Sequence, residues 1–188
     1  MQGSNACDYK ILYEKYVGEM YAYGIALGIN EDLLYDLIHD VFLHFFEHQN
    51  EVVENEHVKY YLFRCLKNKL ISLKRKEINW NELSQTEELP FFITITGVDL
   101  IEEKELQMEI TGQINKMMQC LTDRQREAVY LRFMQELSYE EIADLLGLTV
   151  KGTRKLVYRS LERIREQFGP ALIFFFLLEH FFYSDGVI

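Results

Sequence analysis

Proline is nearly missing from this chain: only Pro90 and Pro170 stand among 188 residues, and glycine is sparse at ten. These two residues punctuate regular structure, proline by removing a backbone donor and glycine by freeing the backbone. Their scarcity leaves room for long helices, and a mostly helical protein is expected. The three cysteines, Cys7, Cys65 and Cys120, are odd in number and far apart. They form no CxxC pair and lack a histidine at metal-ligand spacing, so reduced cytosolic thiols are expected rather than a disulfide framework. No apolar run approaches the roughly 20 residues of a membrane span. The most apolar stretch, "ALIFFFLLEHFF", is interrupted by Glu179 and His180. The opening "MQGSNACDYK" has no apolar core behind a basic start, so neither a secretory leader nor a membrane span is expected, and a cytoplasmic location is. A Gly-rich phosphate loop and a nucleophile motif are missing as well, which argues against an enzyme. Asp40, His44 and His48, spaced by four, would be the best metal set. No further ligands are obvious nearby, and histidine at a solvent-facing edge is commoner than a site. No metal or cofactor is expected.

What the chain does have is helical periodicity. Hydrophobic residues make up 48% and charged residues 27%, the balance of a globular chain. Apolar residues recur at helical spacing over residues 11–27, 33–47, 60–76 and 106–118. Asn30 is placed to cap the second of these helices. In the second helix Leu34, Leu37, Ile38, Val41, Phe42 and Phe45 share a wide apolar face. Thr122, with Gln125 three residues on, predicts a capping box opening a helix over 123–134, and Ser138 with Glu141 predicts another. Gly147 ends that short helix, Thr149 starts a long one, and Gly169–Pro170 terminates it. From 81 to 105 the pattern dissolves. "NELSQTEEL" is acidic, and "FFITITGV" alternates like a strand with no second strand to pair with. The stretch reads as an extended linker partly packed on a neighbour. The expected fold is all-α: two small helical domains joined by this linker.

The formal charge is −10, yet it is unevenly spread. Residues 64–76 hold six Lys or Arg and no acid, and residues 151–165 hold six against Glu162 alone. Two basic islands therefore sit in a body more acidic than the total suggests. The second island lies on a helix-turn-helix pattern at 138–157, with Ala143 small where the helices would cross and Ile142, Leu146, Leu148, Val150 and Val157 as core. Lys151, Arg154, Lys155 and, one turn on, Arg159 occupy the opposite face. An exposed positive face at the start of such a helix suits the DNA major groove. A plain three-helix scaffold with a solvated basic face is the competing reading.

"LTDRQREAVYLRFMQELSYEEIADLLGLTVKGTRKLVYRSLERIRE" resembles the promoter-binding region 4 of bacterial sigma-70-family factors. "DLIHDVFLHFFEH" and "YYLFRCLKNKLISLKRK" resemble two helices of that family's region 2. The three matches follow the family's order, and the presence of regions 2 and 4 alone resembles the extracytoplasmic-function (ECF) group. The resemblance implies domains at 1–80 (region 2), 81–112 (linker), 113–168 (region 4) and 169–188 (an apolar tail). It implies core RNA polymerase as partner: Asp36, His39, Asp40 and Phe42 would meet the β′ clamp helices, and Leu131, Phe133 and Met134 would meet the β flap or serve the core. Lys151, Arg154, Lys155 and Arg159 would bind the promoter −35 element. Tyr60, Tyr61, Asn68, Lys69, Lys74, Arg75 and Lys76 would bind the opened −10 strand, with the "HQNEVVENEH" loop beside them, while Phe63 is assigned to the core. Gly152 and Leu156 depart from the family's usual residues. The acidic linker would thread the polymerase RNA path or act as a solvated tether. The tail would form a short helix on the chain's own domains or on a partner such as an anti-sigma factor. A two-domain regulator that binds duplex operator DNA without polymerase is the alternative.

Overall fold

The computed structural model describes residues 3–47, 57–77, 89–92 and 104–169. The loop before residue 57, most of "FFITITGV", the tail after Gly169, His48 and the side chain of Lys76 lie outside the described residues. The described chain is helical throughout its regular parts: α1 Gly3–Ala26, α2 Glu31–Glu47, α3 Val58–Glu77, α4 Lys104–Gln119, α5 Asp123–Phe133, α6 Tyr139–Leu146 and α7 Val150–Phe168. The expected all-α fold is what is found. The chain divides into two compact units, Met1–Glu87 and Glu88–Ile188.

In the first unit, α1, α2 and α3 pack against one another. Gly28 ends α1 by taking φ 74°, a left-handed conformation that costs glycine no Cβ clash. Asn30 then caps α2: its side-chain oxygen accepts from the Asp32 N–H at 2.9 Å, and its carbonyl accepts from Leu34. The helix starts two residues before its apolar periodicity does because its first turn is Glu31 and Asp32. Acids favour that end of the helix dipole yet leave no hydrophobic trace. For a similar reason α1 begins well before Ile11, where "GSNACDYK" carries no apolar rhythm. Met20, Tyr23, Leu27, Leu34, Ile38, Val41, Phe42, Leu62, Phe63 and Leu66 form the core. The Tyr23 and Phe63 rings stack at 4.7 Å, so Phe63 serves the core as expected. Gly24 makes the α1–α2 approach possible, since a Cβ there would stand 2.2 Å from Leu34 Cδ1.

In the second unit, Ile114, Met117, Met118, Leu121, Val129 and Ile164 form one buried cluster, with Phe133 and Phe168 packed against it. Both capping boxes are present, Thr122 with Gln125 and Ser138 with Glu141. Each satisfies orphan N–H groups at a helix start. Gly147 closes α6 at φ 61° and Gly169 closes α7 at φ 82°. Phe91 is fully buried, its ring 5.4 Å from that of Tyr130. Arg126 donates to the Phe91 carbonyl as well as to those of Met118 and Leu121. The C-terminal unit therefore includes residues 89–92, and α4 begins at Lys104.

Candidate nucleic-acid interface

The geometry of α7 follows from its two faces. Thr153, Val157, Ser160 and Ile164 are buried. The two hydroxyls among them are satisfied inside the helix, Thr153 donating to the Thr149 carbonyl at 3.1 Å and Ser160 to that of Leu156 at 2.7 Å. This self-satisfaction lets polar residues face a core without an unmet donor. Lys151, Arg154, Lys155 and Arg159 are all exposed on the other side, within an arc of about 140° at 3.6 residues per turn. Tyr158 shares this flank and is 65% exposed. Sequence reasoning passed over it, although its place one turn from Arg154 and Lys155 was readable. The Thr149 hydroxyl accepts from the Gly152 N–H at 3.0 Å, and a Cβ at Gly152 would meet that hydroxyl at 3.1 Å. Leu156 is half-buried, so its apolar character fits a boundary position.

At the base of this flank Arg154 approaches α6. Its Nη2 lies 3.4 Å from Glu140 Oε1, and its guanidinium lies over the Tyr139 ring at 5.3 Å. Of the residues considered for flap contact, Leu131 is fully buried, Phe133 is half-buried on the core cluster and Met134 is 39% exposed. Leu131 is a packing residue, with no exposed surface to offer a partner.

On α3 the expected residues separate. Asn68 and Arg75 are exposed, while Tyr60, Tyr61 and Lys74 are half-buried. Part of Tyr61 is taken up by Phe45, whose ring centroid is 5.6 Å away. Arg64, which was counted in the basic island but not among the contacts, joins the exposed flank. Its Nη1 donates to the Tyr60 hydroxyl at 3.2 Å, and the i, i+4 spacing was the available signal. Lys69 is turned the other way, toward α2, where Nζ sits 2.8 Å from Asp40 Oδ2. Hydrogen bonding and charge from Lys69 hold the Asp40 carboxyl below its ordinary range. One residue assigned to a DNA strand and one assigned to polymerase are thus partners. Asp36, His39 and Asp40 are exposed on α2, with the partly exposed Leu43 beside them. Phe42 is not on that surface. It is fully buried with its ring 4.9 Å from Tyr13, because it lies on the apolar arc of α2. Among the described residues no group of His, Cys, Asp or Glu could hold a metal ion, and none of their helices is long and apolar enough to cross a membrane.

Residues 111–164 match the family model for Sigma-70, region 4. Over 154 residues the chain is 23% identical to the ECF RNA polymerase sigma factor SigM of Bacillus subtilis, covering 82% of this chain and 91% of SigM. The chain is similar to the sigma-70 family. Its second unit alone is too short to hold a match of that length, so the similarity reaches into the helices of the first unit. The Ferric citrate uptake sigma factor FecI of Escherichia coli is 34% identical over 66 residues, which are 35% of this chain and 38% of FecI. Among solved structures, the sigma factor RpoE in complex with the anti-sigma factor NepR from Bartonella quintana shares the fold. Its TM-score is 0.56 at 24% identity, over 85% of this chain and 95% of that one. The sigma-70 region 4 match contains the whole cationic flank of α7 and all of the helix-turn-helix core.

Proposed function

We propose that this chain is an ECF-type sigma factor, binding core RNA polymerase and directing it to start transcription at selected promoters. The observation that carries the reading is the exposed flank Lys151, Arg154, Lys155 and Arg159 on a helix whose opposite face is core, inside the segment that matches region 4. Similarity extending into the first unit favours a sigma factor over a regulator that shares only the helix-turn-helix.

In this reading the α7 flank meets the −35 duplex, where cations contact phosphates for register and reach base edges for choice. The exposed flank of α3, with Tyr60, Arg64, Asn68 and Arg75, takes the −10 strand. Stacking of an unpaired base on Tyr60 or Tyr61 would contribute about 1–3 kcal/mol and help hold the duplex open. Asp36, His39 and Asp40 on α2 dock on the polymerase clamp, and Met134 reaches the flap. Residues 1–80 act as region 2, 81–112 as linker and 113–168 as region 4. The apolar stretch after Gly169 is offered as a contact for the chain's own domains or for an anti-sigma partner, the kind of protein bound to RpoE in the structure named above.

The test is reconstitution. Purified chain and core polymerase should co-elute one-to-one and start run-off transcripts at discrete sites on a genomic library. A Lys151→Glu/Lys155→Glu variant should still co-elute while losing those starts. If the chain does not co-elute with core, yet binds duplex DNA as a dimer by itself, the reading is wrong.

A further inference from the structure

The four cations of the α7 flank are not equally held. Arg154 rests on the two residues that open α6, with its guanidinium carbon 5.3 Å from the Tyr139 ring centroid and Nη2 3.4 Å from Glu140. Tyr139 is itself fixed from several sides. Arg132, in the last turn of α5, places its guanidinium 4.9 Å from the same centroid and donates through Nη1 to the Leu137 carbonyl at 2.8 Å. Ser138, just before the tyrosine, is locked by its box with Glu141, donating from N–H and Oγ to Oε2 at 2.8 Å. One ring therefore joins the end of α5, the start of α6 and the DNA-facing side of α7.

We propose that Tyr139 is a positioning residue for Arg154, holding its guanidinium on the α7 flank before DNA arrives. This rests on the reading of that flank as a duplex-DNA surface. A ring beneath a guanidinium engages its flat face and leaves its N–H edges free of the ring; in Arg154 one of them, at Nη2, is shared with Glu140. Those edges are what a phosphate or a guanine takes in a two-point contact. A long side chain ordered in advance loses less rotamer freedom when it binds.

The experiment measures binding of the full chain to a fluorescent random-sequence duplex of about 20 bp at low salt, where phosphate contacts dominate. Tyr139→Leu, which fills the space without a π face, should weaken binding roughly two- to fivefold. Tyr139→Phe, which keeps the ring, should bind as wild type. In an Arg154→Ala background, Tyr139→Leu should cause no further loss, because its effect passes through Arg154. Equal losses from Tyr139→Leu with and without Arg154, or a loss from Tyr139→Phe as large as that from Tyr139→Leu, overturn the proposal. Should Tyr139→Leu fail to fold, Arg154→Lys tests the same contact from the other side. It keeps the charge and gives up the planar face, so a two- to fivefold loss is again expected, and wild-type binding overturns the proposal. If Arg154→Ala binds the duplex as well as wild type, the DNA reading of the flank fails first, and Tyr139 falls with it. If Arg154→Ala weakens binding and Tyr139→Leu does not, only the role of Tyr139 is lost.

Discussion

Arg126 ties together four acceptors, and replacing it with lysine isolates what its planar fork contributes. Its Nε donates to the Met118 carbonyl at 2.9 Å, Nη2 to the Leu121 carbonyl at 2.9 Å, and Nη1 to Asp123 at 2.8 Å and to the Phe91 carbonyl. The side chain is 14% exposed. Lysine keeps the charge but donates from a single point, so it cannot reach acceptors arranged around a plane. A hydrogen bond to a charged donor contributes about 1.5–3 kcal/mol. Losing two of four, with water replacing part of the loss, should cost about 2 kcal/mol. The effect should concentrate on residues 89–92, whose attachment is thinly balanced. Ordering each residue costs about 1–2 kcal/mol, while burying the Phe91 ring returns only about 1.5–3 kcal/mol. Arg126→Lys should therefore release this segment before the rest of the unit opens. Hydrogen–deuterium exchange on the full chain should show peptides covering residues 89–92 and 118–121 exchanging about 30-fold faster. Urea unfolding should report the roughly 2 kcal/mol loss in the same variant. Wild-type protection in both peptides together with an unchanged unfolding midpoint would refute the reasoning.

Gly24→Ala sets two effects against each other. Alanine gains about 1 kcal/mol in helix propensity, yet its methyl would sit 2.2 Å from Leu34 Cδ1, and Leu34 is fully buried. Overpacking of about 3 kcal/mol should prevail, for a net loss near ~2 kcal/mol in urea unfolding, and a variant as stable as wild type would count against the close α1–α2 approach. The Asp40–Lys69 pair should show a pH signature. Lys69 lowers the Asp40 pKa in the folded state, so the stability it adds is present above the unfolded value and fades as pH falls through the lower, folded one. Asp40→Asn should cost less than about 1 kcal/mol near neutral pH, because the carboxylate is 58% exposed, and the two proteins should converge in acid. Denaturation at pH 6 and pH 3 checks this, and a gap that widens in acid would contradict it.

Local chemistry was legible in the sequence, and distant pairing was not. Asn30, Thr122–Gln125, Ser138–Glu141 and Gly147 act within a few residues of themselves, so each cap could be read directly. The cationic flank of α7 was readable for the same reason, since its inward residues keep helical spacing. Phe42 shows the opposite case. Periodicity placed it on the apolar face of α2, the family resemblance placed it on the outer surface, and packing agrees with periodicity. The Asp40–Lys69 pair joins residues 29 positions apart, and Arg126 meets Phe91 across 35. No local pattern encodes which of several arginines will meet a particular carbonyl. The Arg132–Tyr139–Arg154 contacts likewise exist only once three helices are set side by side.

The ion pair between α2 and α3 also alters what an approaching polyanion would encounter. Lys69 has already spent its charge on Asp40, and most of the Lys67 side chain is covered. Fewer condensed cations would then be displaced from a nucleic acid strand than the tally of basic residues in α3 implies. The ionic-strength dependence of strand capture should be correspondingly shallow, and a substitution at Asp40, on a different helix, would steepen it.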